Sequence, residues 1–155
     1  MAADSQHADA LRLLKCLEQR ILENPDFRMT YTDAAALLGR EPGSSTRHVG
    51  QVCSRVDAAC FYANLPWLSM SRVHKTEEGT INPASFAGDL WSGHKERLIL
   101  LAQRHRWTRE DFGKIRWKLK SLGEDRAGAS ALWKRIEEFG ERAVQKALAA
   151  GLVDA

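Results

Sequence analysis

Hydrophobic residues mark out the first helix before anything else in the chain. Ala10, Leu13, Leu14, Leu17 and Ile21 recur three and four apart and make one apolar stripe, and Asn24-Pro25 ends it. A second helix is predicted from Thr30, which with Asp33 forms a capping pair. It runs through Leu37 and Leu38 to Gly39, a residue type that stops helices. The stretch Arg40-Glu41-Pro42-Gly43-Ser44-Ser45 then turns the chain into a third helix, predicted from Ser45 to about Ala63. Here Val49, Val52, Cys53, Val56, Ala59 and Cys60 form an apolar face. Arg47, Gly50, Gln51, Ser54, Arg55 and Ala58 lie opposite, small and polar with two arginines and no acid. Two short helices joined by a Gly-containing turn, the second with a thin positive side, match a helix-turn-helix.

Beyond Asn64-Leu65-Pro66 the period changes. Leu68, Met70, Arg72 and His74 alternate with Ser69, Ser71, Val73 and Lys75, and Glu77-Glu78-Gly79 can turn the chain before Thr80-Ile81-Asn82. This predicts a β-hairpin, the wing of a winged helix. Helical spacing returns from Ser92. Leu98, Leu101, Ala102 and His105 share a face. Thr108 and Asp111 open a further helix whose core stripe is Phe112, Ile115, Leu119 and Leu122. Gly123 to Gly128 reads as a loop, and a last helix from about Ser130 to Ala150 carries Trp133, Ile136, Gly140 and Val144 inward. The fold class expected is mainly α: a winged helix-turn-helix with a small β-hairpin and a helical C-terminal extension. Residues 1–155 read as a single domain, with 26–90 as the winged core and 91–155 as the extension.

At 155 residues such a domain buries a core without staples. The net charge of +3 is mild, but its distribution is uneven. Residues 1–46 carry five basic against seven acidic side chains, whereas 95–120 carry nine basic against three acidic. A basic block beside an acidic segment points to an anionic partner or to solvated helix faces. Within the block Arg109, Lys114 and Lys118 are read on one flank of the helix from Thr108, as a secondary basic surface. Trp117, among Arg116, Lys118 and Lys120, can interleave with a nucleic acid or a protein. Three cysteines without a CxxC pair fit reduced thiols in a cytoplasmic protein. The start lacks the pattern of a signal peptide, and no apolar run approaches the ~20 residues of a membrane span.

The residues give little support to catalysis. Cys53 and Cys60 lie on the apolar stripe of the third helix, where a thiol behaves as a small hydrophobe, and Cys16 abuts the first stripe. His48, His74, His94 and His105 are scattered without HxxxH or HExxH spacing, and no phosphate-cradling glycine loop occurs. No enzyme, metal or cofactor is expected.

Thr30-Tyr31, Arg47-His48-Val49-Gly50, Leu65-Pro66-Trp67, Arg72-Val73 and Gly79-Thr80-Ile81 follow one another over residues 28 to 83. In order and approximate spacing this stretch resembles the DNA-binding domain of alkylguanine-DNA alkyltransferases and of the alkyltransferase-like proteins that lack the reactive cysteine. Two departures stand out. Trp67 occupies the nucleophile's place, and Leu68-Ser69-Met70-Ser71 stands where the families have a single histidine. The resemblance implies a winged helix that binds the minor groove of duplex DNA, damaged or intact, and rotates a base out of the stack. Arg47 would fill the gap, Tyr31 press on the phosphate, and Trp67 line the base pocket.

The residues themselves leave alternatives open. Arg47 also fits a solvated helix end, and Trp67 a core tryptophan pinning the hairpin. The resulting expectation is a non-catalytic DNA-binding protein, with Tyr31, Arg47, Gly50, Gln51, Ser54, Arg55, Trp67 and Arg72 as its DNA-contacting set. Residues 91–155 are a candidate surface for a protein partner, and no membrane partner is expected. The alternative is a protein-interaction or regulatory module, as in a bacterial defence system, that keeps the fold without DNA binding. An active site completed by a partner is a third.

Overall fold

The computed structural model describes residues 2–41, 46–74 and 102–126. The chain is mainly helical, with one small parallel sheet. Among the described residues the elements are, in chain order, α1 (Ala2–Glu23), β1 (Met29–Thr30), α2 (Tyr31–Leu37), α3 (Thr46–Tyr62), α4 (Leu68–Arg72), β2 (Val73–His74) and α5 (Arg109–Arg126). The two strands pair in parallel, Met29 with Val73 and Thr30 with His74.

The helix boundaries follow from local chemistry. Thr30 caps α2 in a complete capping box with Asp33: Asp33 N donates to Thr30 Oγ1 at 3.1 Å and Thr30 N to Asp33 Oδ2 at 3.3 Å. Gly39 (φ 71°) ends it in a Schellman turn, with Arg40 N donating to Ala35 O and Gly39 N to Ala36 O. The same pair of bonds ends α3, where Asn64 takes the left-handed position at φ 59°. Thr108 and Asp111 repeat the capping box at the start of α5.

Among the described residues most buried apolar side chains form one cluster around α3, which packs against α1, α2, α4 and α5. Its predicted apolar face is wholly buried, and so is most of the opposite face. Gly50, Ser54 and Ala58 form a four-residue repeat of small side chains, and neighbouring elements of the protein itself occupy the space beside them. Tyr31 lies over Gly50, where an added Cβ would come within 4.0 Å of its hydroxyl oxygen. Ser54 turns its hydroxyl back to Gly50 O at 3.1 Å. Gln6 of α1 accepts from Arg55 Nη2 at 3.0 Å and donates to Gln51.

The alternation that predicts a hairpin strand from Leu68 resolves otherwise. Leu68–Arg72 is a short helix, and only Val73 and His74 are extended. The cause is a carboxylate distant in sequence: buried Asp57 of α3 accepts from Ser69 N at 2.9 Å and caps α4 across the interface. Ser69 Oγ donates to Cys53 O at 2.9 Å, fixing the same junction. The remainder of the predicted hairpin and the helix from Ser130 lie outside the described residues.

Candidate nucleic-acid interface

Asp9 organises one surface corner of the molecule. It stands on the inner side of α1, one turn before Leu13, and is almost wholly buried. Such a carboxylate requires compensation, and three elements deliver it. Arg40 follows the Gly39 turn and donates to Asp9 Oδ2 through Nε at 3.3 Å and Nη2 at 3.1 Å. His48, in the first turn of α3, places Nε2 2.7 Å from the same oxygen. Arg12, one turn further along α1, lies 3.7 Å from Oδ1 with most of its side chain in solvent.

Arg47 precedes His48 and is exposed. Asp9 therefore draws two guanidinium groups and an imidazole to itself, exposed Arg47 follows next to His48 in the chain, and α3 has no acid in its first turn to offset its positive end. Fixed guanidinium forks at a helix start suit phosphate oxygens. Asp9, Arg12, Arg40 and His48 were absent from the sequence-derived set. One signal was available: Gln6 and Asp9 continue the spacing of the Ala10-to-Ile21 stripe, so polar residues stood where core residues were due.

The sequence-derived contacts divide sharply. Arg47 is exposed and Gln51 half-buried, whereas Tyr31, Gly50, Ser54, Arg55, Trp67 and Arg72 are buried. Tyr31 packs over α3, and burial, with Cys53 and Asp57 nearby, pushes its pKa upward. Arg55 is held by Gln6. Arg72 Nη1 donates to the carbonyl of Pro25 at 2.6 Å, stitching α4 to the turn after α1. Trp67 is a core side chain directly preceding α4, the smaller role open to it from sequence. Gly50 and these five side chains are thus packed inside the fold, away from the exposed face that the sequence pattern gave them.

A second cationic surface lies on α5. Phe112, Ile115 and Leu119 point into the core as predicted. Lys114 and Lys118 flank the outward side, but Arg109 lies apart from them. It lines a groove between α1 and α5 with Lys15, Glu18, Leu22 and Arg116, where Arg116 is hydrogen-bonded to Glu18. The predicted shared flank therefore splits in two, because position 109 falls on the far side of the helical wheel.

Among the described residues no three His, Cys, Asp or Glu side chains gather to hold a metal, and no helix is long and apolar enough to cross a membrane. No protein-family model, curated protein or solved structure matches the chain.

Proposed function

We propose that the protein binds duplex DNA without chemistry of its own, through the basic corner built on Asp9. The observation that carries this reading is the exposed Arg47 at the start of α3, next in the chain to His48, which with Arg40 is held by a buried carboxylate. In a helix-turn-helix the recognition helix approaches DNA with its N-terminal residues, and α2 and α3 supply that frame. The winged-helix class and the alkyltransferase-like kinship belong to this proposal, with Arg47 as the arginine that meets the duplex. Burial of Tyr31 and Trp67 favours contact with the backbone over capture of an extruded base.

Fluorescence anisotropy with a labelled duplex across a salt series tests the reading. Affinity should fall as salt rises, with a slope of about 0.9 in log–log form for each phosphate neutralised. Arg47→Ala should weaken binding to every duplex sequence alike and reduce that slope by about 1. A duplex affinity unchanged by Arg47→Ala, or no binding at low salt, would overturn it.

A further inference from the structure

Trp117 occupies an unusual place for the largest side chain type. It is 64% exposed, well beyond Leu37 at 44% and Leu22 at 38%. Ile115 and Leu119, two residues to either side, point into the core, so the indole stands directly opposite the buried stripe. Among the described residues nothing in the packing of α5 requires an aromatic residue there, and an indole in water forgoes the burial that stabilises other tryptophans.

Its surroundings are cationic. Lys118 Nζ lies 5.2 Å from the ring centroid. Lys114 and Lys120 stand three residues before and after Trp117, roughly 4.5 Å along the helix axis in each direction. Lys120 is exposed. Lys114 is 3.6 Å from Glu110, with both side chains in solvent, a pairing that a phosphate readily displaces.

We infer that this face of α5 is a platform for single-stranded nucleic acid, one base stacking on Trp117 and the flanking phosphates meeting Lys114, Lys118 and Lys120. An aromatic plane set among lysines is the pairing by which single strands are held without sequence preference. An acidic peptide would satisfy the lysines but leave the indole face without a partner, and a duplex keeps its base faces inside the stack. The inference rests on the nucleic-acid reading for its ligand class, yet it uses a surface that shares no residue with the Asp9 corner.

The test is a titration of the full chain with fluorescein-labelled oligothymidylate, in competition with polyglutamate. Trp117→Ala should weaken oligothymidylate binding by roughly 5- to 150-fold, the worth of one stacked base, and Trp117→Phe should restore most of it. Circular dichroism and the thermal midpoint should not change, since the ring is largely exposed and stands opposite the buried stripe. Equal oligothymidylate affinity in wild type and Trp117→Ala would overturn the inference, as would absent binding at low salt or polyglutamate competing as well as the oligonucleotide. The two surfaces separate cleanly. Arg47→Ala should spare oligothymidylate binding, and Trp117→Ala should spare duplex binding, so either reading can fail while the other stands.

Discussion

Asp57 shows how one side chain controls chemistry around it. Its carboxylate caps α4 and stands near the buried thiols of Cys53 and Cys60, and burial together with that negative charge pushes both thiols far above the usual range. Cys16, by contrast, is half-buried at the edge of the core. In native protein at about pH 8, near the pKa of an ordinary thiol, a thiol-specific disulfide reagent should therefore label Cys16 first. Cys53 and Cys60 should react only when unfolding exposes them. Prompt labelling of all three thiols in the folded state would contradict this arrangement. Their reading as small core hydrophobes came directly from their spacing on the stripe of α3, because a thiol at a core position is decided by periodicity alone.

At the scale of elements, local signals were legible and crossing signals were not. The Ala10-to-Ile21 stripe, the Thr30 and Thr108 caps and the Gly39 stop all depend on residues within one turn of each other, and each element stands where those residues place it. The α4 segment failed because its cap is Asp57, twelve residues upstream of Ser69, and short-range alternation carries no trace of an acceptor from another helix. Helix α3 stands where it was predicted, and its second face is the more instructive part. A face of Gly50, Ser54 and Ala58 leaves space, but sequence cannot say whether a neighbouring element or a ligand occupies it; here Tyr31 covers Gly50 and α1 reaches across to Arg55. The candidate site was accordingly legible at Arg47 and at the basic residues of α5. The Asp9 corner was hidden, since it unites residues 9, 12, 40 and 48 from three elements.

For the molecule as a whole, buried His74 and half-buried His7 tie stability to pH. His74 is buried, and neither ring nitrogen has a hydrogen-bond partner. Burial, then the guanidinium groups of Arg28 and Arg72, hold its pKa below the ordinary value of 6.5; burial and Arg55 do the same for His7. Both rings thus stay neutral in the fold at pH values where the unfolded chain takes up protons. Their contribution is complete above about pH 6.5 and is lost as pH falls below it, by at most about 1.4 kcal/mol per pH unit for each group. Urea midpoints measured from pH 7.5 to 5.5 should decline, and His74→Leu should flatten the decline. A midpoint that holds steady or rises on acidification would contradict this.

The fold turns most of the thin side of α3 inward and leaves its first turn to meet a polyanion. Backbone amide shifts of labelled protein titrated with a short duplex report directly which surface is touched. Perturbations should fall at Arg12, Arg40, Arg47 and His48, with Ser54, Arg55 and Ala58 unmoved. Shifts centred on residues 54–58, or none near Arg47, would contradict this.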